Sequence, residues 1–322
     1  MLINESFARY LETIRLSRSE NTFLAYSNGI KFLAFTLMSN GIDPEVDNVS
    51  KIKEEVISWF ATDLKGYSAA SEQLYITAVK GYFEFLVAEN LSDINLSKIS
   101  LLIKQRTRRP GKRLPQFPAE DINAIIKRLE NANYAELSKK RNKLRALRDK
   151  AFVTTLADTG LRVHEACNLR RGEIDWREGR ALVIGKGNRQ AVVRFSSRAM
   201  KALRAYLRER GELDGNSGRQ LGSLPLFARH DRGAGKKVLP ITPTTGRNIV
   251  TGIVRDILGE EAVGTITPHS FRHYFVTKVL QVSGNLKLAQ NLARHKNIEV
   301  TQRYAHLSND ELDKGYWEVF ED

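Results

Sequence analysis

The run from Lys104 to Pro118, Lys-Gln-Arg-Thr-Arg-Arg-Pro-Gly-Lys-Arg-Leu-Pro-Gln-Phe-Pro, holds six basic residues, three prolines and no acid. Proline lacks an amide donor and its ring clashes with the preceding helical turn, so the run predicts a linker rather than a helix interior. It divides the chain of 322 residues into residues 1–103 and 119–322, each long enough to close around a core. With 42% hydrophobic residues, there is apolar material for two ordinary cores rather than one oversized one. A basic linker can be a plain solvated tether. Its single sign favours phosphate contact, through Lys104, Arg106, Arg108, Arg109, Lys112 and Arg113.

The first part reads as helical throughout. Apolar residues recur at spacings of three and four in Phe7, Tyr10, Leu11 and Ile14, and again in Phe23, Tyr26, Ile30, Leu33 and Leu37. Ser19 can cap the second of these helices and Gly41 follows its end. Further helical stretches are predicted at roughly Lys51–Leu64 and Ala69–Glu89, which makes an all-α domain. Beyond the linker, helices are predicted at Ala119–Glu130 and Tyr134–Asp158. The β-rich segments Arg180–Ile184 and Ala191–Phe195 then flank Gly185-Lys186-Gly187-Asn188, a hairpin signal with Lys186 in the turn. Helices dominate from there, apart from a loop rich in Gly, Arg and Lys at Arg229–Lys237. The fold class expected is mainly α: an all-α N-terminal domain and an α+β second domain with a small antiparallel sheet.

Lys and Arg number 51 against 37 Asp and Glu, a formal charge of +14 with a pI near 9.8, which points to a polyanionic partner. No stretch approaches the roughly 18 apolar residues of a spanning helix. Met1–Arg18 carries acids and helical periodicity rather than a signal sequence. A cytoplasmic protein is expected, with no membrane partner. Cys167 is the sole cysteine, so an intrachain disulfide and a thiolate-clustered metal site are both excluded, and its apolar helical setting marks it as a core residue.

Three segments of the second part carry residue types suited to phosphate chemistry. Cleaving a phosphodiester by side-chain attack needs a nucleophile, positive donors on the nonbridging oxygens and a proton source for the leaving oxygen. In Thr159-Gly160-Leu161-Arg162-Val163-His164-Glu165, one helix ends at Gly160 and another begins, with Glu165 placed to orient Arg162. In Thr267-Pro268-His269-Ser270-Phe271-Arg272-His273, Thr267 caps a helix with Pro268 at its first position, so His269 and Arg272 share a face near a positive helix end. In the third, Leu292-Ala293-Arg294-His295 precedes Tyr304 by nine residues. Each segment read alone also fits ordinary surface or core residues. A tyrosine hydroxyl, with a pKa of about 10, is a poor nucleophile unless positive groups surround it.

Taken in order, Arg162, Lys186, His269 with Arg272, His295 and Tyr304 closely resemble the active-site series of the tyrosine recombinase, or phage integrase, family. Arg148-Asp149-Lys150-Ala151-Phe152, Asn168-Leu169 and Glu173-Ile174-Asp175 are similar to the surroundings of its first box. Asn21-Thr22 with Tyr26, and Tyr82-Phe83-Glu84-Phe85-Leu86, resemble its helical core-binding, SAM-like domain. The resemblance implies a two-domain, Xer-like site-specific recombinase: a core-binding domain over residues 1–103, a linker over 104–118 and a catalytic domain over 119–322. It implies that Tyr304 attacks the scissile phosphate to leave a 3′-phosphotyrosine and a 5′-hydroxyl. Arg162, Arg272 and His295 would bind the nonbridging oxygens, Lys186 would protonate the leaving oxygen, His269 would assist at the tyrosine, and Glu165 would orient Arg162.

No cofactor and no metal are expected. Asp158, Glu165 and Asp175 are scattered as capping or orienting groups, and Gly185-Lys186-Gly187 is too short for an ATP-binding phosphate loop. The implied partners are double-stranded DNA, further copies of the chain in a tetramer on paired sites, and a possible second recombinase subunit or accessory protein. In a bacterium the chain would be nucleoid-associated. No extra N-terminal arm-binding domain is expected. Two features stand apart. Family members usually have glycine just before the histidine matching His295, where this chain has Arg294; a side chain there would crowd a helix start or reach a phosphate. The tail, with Tyr316, Trp317, Val319 and Phe320, packs either on its own domain or on a neighbouring subunit. A type IB topoisomerase shares the chemistry, and a silent DNA binder on the same fold is the alternative outside enzymes.

Overall fold

The computed structural model describes residues 1–108, 118–134, 137, 139–185, 189–295 and 297–302, and the chain separates into two units, Met1–Arg113 and Leu114–Asp322. The first unit contains α1 (Ile3–Ser17), α2 (Glu20–Ser39), α3 (Val56–Asp63), α4 (Ala69–Ala88) and α5 (Leu96–Arg106). Ser19 caps α2 by accepting the Thr22 amide, and Gly41 follows its end at φ +78°. The apolar stripes of α1, α2 and α4 meet in one core around Ile3, Leu33, Leu37, Phe60, Tyr82 and Phe83, all fully buried. Its polar groups are matched: Tyr82 Oη lies 2.6 Å from Ser6 Oγ, and Tyr10 Oη donates to the Ala78 carbonyl at 2.9 Å.

Two stretches depart from the sequence expectation. Lys51 does not begin a helix. It ends a short 3₁₀ turn, Val49–Lys51, whose start is held by Asn48, and the chain then extends to bury Ile52 before α3 begins. Helix α5 was not foreseen, and it carries Lys104, Gln105 and Arg106 of the basic run. The three prolines lie further on, so nothing in those residues forbids helix. Lys65 Nζ satisfies the Arg106 carbonyl at the helix end, at 2.7 Å.

The second unit contains α6 (Ala119–Asn131), α7 (Lys140–Thr159), α8 (Val163–Asn168), β1 (Ile174–Asp175), β2 (Arg180–Gly185), β3 (Arg189–Arg194), α9 (Ser197–Glu209), α10 (Gly211–Gly215), α11 (Pro243–Leu258), α12 (Pro268–Ser283), α13 (Leu286–Ala293) and α14 (Ile298–Gln302). The sheet is antiparallel in the order β1-β2-β3, with Ala181 opposite Val193 and Gly185 opposite Arg189. Ala181, Val183 and Val193 point into the core while Leu182, Ile184 and Val192 are exposed, the period-two pattern of a half-buried sheet. Helix α7 is central, packed on α9, α11 and α12, and Ala151, Phe152, Val153 and Leu156 are fully buried. It starts at Lys140 rather than Tyr134, and residues 132–134 are not helical.

Cys167 is a core residue: burial pushes its thiol up to about 12. It packs where α8 meets Gly246 of α11. A Cβ at Gly246 would lie 2.8 Å from Val163 Cγ2 and 2.9 Å from Phe152 Cζ, whereas one at Gly252 on the same helix would meet nothing within 4 Å among the described residues. Gly246→Ala should therefore destabilise by about 1–3 kcal/mol through overpacking. Gly252→Ala should stabilise by about 0.5–1 kcal/mol by removing unfolded-state freedom. Urea midpoints of the two variants should move in opposite directions.

Candidate active site

Three helix boundaries of the second unit bring the described site residues together. Helix α7 stops at Gly160, whose φ of +59° is the left-handed conformation of a glycine helix cap. Two residues on, Arg162 stands at the start of α8. Its backbone amide donates to Glu165 Oε2 and its Nη1 to Oε1, each at 2.9 Å. One carboxylate thus holds the arginine by its main chain and its guanidinium. The Glu165 side chain is 1% exposed. Burial would raise its carboxyl, but Arg294 together with the amide and guanidinium of Arg162 outweighs burial and holds it below the usual carboxylate range.

Pro268 opens α12, and the Thr267 amide donates to Ser270 Oγ at 3.1 Å. Arg272 follows one turn in, only 3% exposed. Its Nη1 donates to the Gly160 carbonyl and its Nη2 to that of Ala293, the last residue of α13. A single guanidinium therefore ties together the C-terminal ends of α7 and α13. His269, on the same face of α12, has its ring 4.3 Å from that of His273, edge to face.

Beyond Ala293 the chain turns through Arg294, at φ +57°, a conformation that costs a residue with a side chain about 1 kcal/mol. This is a helix end, not the helix start expected, and it explains why glycine suits the position. The Arg294 side chain lies inward with Nη2 3.1 Å from Glu165 Oε2. The turn sets His295, whose amide donates to the Gln290 carbonyl at 3.1 Å and whose Nδ1 lies 2.9 Å from Oγ1 of buried Thr301.

The electrostatics follow from this packing. Burial first, then the charges of Arg272 and Arg162, lower the pKa of His269 and push that of His295 down to about 4. Burial, with His269 and Arg272, brings His273 to about 4. The histidines resist protonation because they are largely removed from water and the space they share is already positive.

Lys186 and Tyr304 lie outside the described residues, as do Arg109, Lys112 and Arg113. Lys104 and Arg106 are exposed on the last turn of α5. Arg108 is otherwise engaged: its Nε and backbone amide donate to buried Glu72, at 2.5 and 3.0 Å, and its Nη2 to the Tyr67 carbonyl at 2.6 Å. Of the acids expected to cap or orient, Asp158 orients a side chain and Asp175 caps a turn. Asp158 accepts from Arg198 Nε at 2.7 Å, and Asp175 accepts the amides of Arg177 and Glu178 at 3.0 Å. Sequence reasoning missed the link of Arg294 to Glu165 and the edge-to-face contact of His273 with His269. A bulky residue directly after a helix-ending alanine was the only trace of the first.

Residues 117–311 match the model of the phage integrase family, and residues 5–90 match that of the phage integrase N-terminal SAM-like domain. The chain belongs to the phage integrase family. Among curated relatives, it is 29% identical over 321 residues to "Tyrosine recombinase XerC" of Bacillus subtilis (strain 168), covering 96% of this chain and 93% of that one. It is 30% identical over 313 residues to the protein of that name from Bacillus pumilus (strain SAFR-032), again covering 96% and 93%. Its fold resembles XerH site-specific recombinase bound to difH substrate in a pre-cleavage complex, with a TM-score of 0.68, 18% identity and 99% and 96% of the chains covered. The Tn1549 transposon integrase in complex with transposon right end DNA gives 0.66, at 18% identity and full coverage of both.

For this integrase-family chain the histidine shifts set a pH dependence. A lowered folded-state pKa means that the unfolded chain takes protons first as pH falls below about 6.5, so stability is full above that pH and is lost towards pH 4. Discounted for partial exposure, the loss should be about 1 kcal/mol per shifted histidine by pH 5. Urea unfolding at pH 7, 6 and 5 should show it, and His273→Gln should flatten the slope; equal slopes in both proteins would contradict the assignment.

Proposed function

We propose that this chain is a site-specific DNA recombinase, Xer-like in plan, that cuts and rejoins strands through a 3′-phosphotyrosine at Tyr304. The observation that carries the reading is the convergence of Arg162, Arg272, His269 and His295 at the joined ends of α7 and α13, where burial, reinforced by a positive field from the two arginines, keeps the histidines neutral. A phosphodiester is the anion that such a field suits, and a phosphorane transition state with its added charge suits it better.

In this reading the phenolic oxygen of Tyr304 attacks phosphorus, its proton passing with the help of His269. The bond to the 5′ oxygen breaks, and Lys186 gives that oxygen a proton, leaving a 5′-hydroxyl. Arg162, Arg272 and His295 hold the nonbridging oxygens. A guanidinium carries five N–H groups, so the two carbonyl contacts of Arg272 are compatible with a phosphate contact as well. Attack by a 5′-hydroxyl from another strand reverses each step and releases Tyr304. One phosphoester replaces another throughout, so resealing needs no ATP, and the cations named supply the charge stabilisation without a metal.

DNA and further copies of the chain are the partners, with a tetramer on paired sites as the active assembly. Residues 1–103 would serve as the core-binding domain and 119–322 as the catalytic domain. The segment 104–118 would follow the DNA backbone through Lys104 and Arg106, with Arg109, Lys112 and Arg113 beyond them. Because Arg108 is taken up by Glu72, its replacement should weaken DNA binding less than replacement of Arg106. No helix among the described residues is long and apolar enough to cross a membrane, and the proposed activity belongs with DNA in the cytoplasm.

The test is covalent trapping. The protein, in EDTA, is incubated with nicked DNA fragments from the flanks of its own gene and denatured with detergent. A protein–DNA adduct should form, disappear with Tyr304→Phe and fall at least about 100-fold with Arg272→Ala. An adduct that survives Tyr304→Phe would contradict the assignment of the nucleophile, and tight binding with no adduct would contradict the enzyme.

A further inference from the structure

Arg294 occupies a position with two contacts that matter. Its Nη2 lies 3.1 Å from Glu165 Oε2 and 3.3 Å from the Gly160 carbonyl oxygen. Glu165 is the carboxylate that fixes Arg162, and the Gly160 carbonyl is one of the two that fix Arg272. One side chain therefore shares an anchor with each arginine of the site. It does so from a left-handed backbone at φ +57° that glycine would adopt without strain. Unfavourable backbone angles persist where surrounding contacts over-determine them, and the contacts here are the two anchors.

The charges give a second argument. Without Arg294, Glu165 would face Arg162 alone, and the half-exposed guanidinium would spend its charge on a buried carboxylate; their side chains are 40% and 1% exposed. With Arg294, itself 11% exposed, two guanidinium groups share one carboxylate. The trio keeps a net positive charge, and Arg162 retains more of its field for an incoming anion. Arg294 Nε, moreover, is buried with no hydrogen-bond partner among the described residues. The side chain is thus held for its Nη2 contacts at some cost to its Nε donor.

We infer that Arg294 is a positioning residue: through Glu165 and the Gly160 carbonyl it sets the orientation and effective charge of Arg162 and Arg272 for transition-state binding. It acts without touching DNA. The inference rests on the recombinase reading for its effect on cleavage, but not for its effect on Glu165.

Two measurements separate these. In DNA-free protein with isotope-labelled glutamate, Arg294→Gly should move the Glu165 titration upward, out of its lowered range, while the melting temperature stays within a few degrees because the backbone strain is relieved. An unmoved Glu165 titration would overturn the inference whatever the protein does to DNA. In the trapping assay, with wild-type adduct formation as the check on the recombinase reading, Arg294→Gly should slow cleavage about 10–100-fold, with DNA affinity changed less than about threefold. Arg294→Lys, which keeps the charge, should recover part of the rate. Combining Arg294→Gly with Glu165→Gln should be little worse than Glu165→Gln alone, since one acts through the other. Multiplying losses, or a wild-type rate in Arg294→Gly, would overturn the inference.

Discussion

The site depends on one buried guanidinium. The C-terminal ends of two helices, each with unpaired carbonyls and a partial negative charge, would repel one another if brought together in a dry interior. Arg272 removes that repulsion by donating to Gly160 at the end of α7 and to Ala293 at the end of α13. The rest follows by short steps along the chain. Arg162 is two residues beyond Gly160, His295 is two residues beyond Ala293, and His269 is one helical turn before Arg272. A side chain that cannot be deprotonated at working pH places the other three, and its charge adds to burial in lowering the pKa values of His269 and His295.

Around this clamp the polar groups fall into a consistent order. Glu165 accepts from Arg162 and Arg294 and is buried between them. Thr301, on α14, meets the His295 ring, and Gln290 exchanges hydrogen bonds with the His295 backbone in both directions. A field assembled from guanidinium groups fixed at helix boundaries needs little reorganisation when an anion arrives, which is the condition for charge stabilisation to favour a transition state over a ground state.

Much of this was legible in the sequence because it rests on local rules. Gly160 as a helix cap, Thr267-Pro268 as a helix start and the antiparallel pairing of Arg180–Gly185 with Arg189–Arg194 each follow from backbone preferences of a few residues, and Glu165 lies one turn from the arginine it orients. What was not legible depends on contacts between distant segments. Helix α5 buries Ile99 completely but leaves Leu101 more than half exposed, so its apolar spacing is weak, and its last turn lies within the basic run. The capture of Arg108 by Glu72 joins residues 36 apart. That Arg294 would turn towards Glu165 rather than solvent required knowing that α13 ends beside the start of α8. The order of the boxes identified the chemistry without any of these, and the packing explains how the boxes meet.

The central claim is that the described cluster is a preformed positive site awaiting a phosphodiester. An anion seated among these groups must raise the depressed histidine pKa values, so binding should draw protons from solution. Calorimetric titration of the protein with its DNA site at pH 5.5, in two buffers of different ionisation enthalpy, measures that uptake. The account requires a net uptake of protons that diminishes in His295→Gln. Binding with no proton uptake, or with the same uptake in the variant, would mean that the phosphate is bound elsewhere.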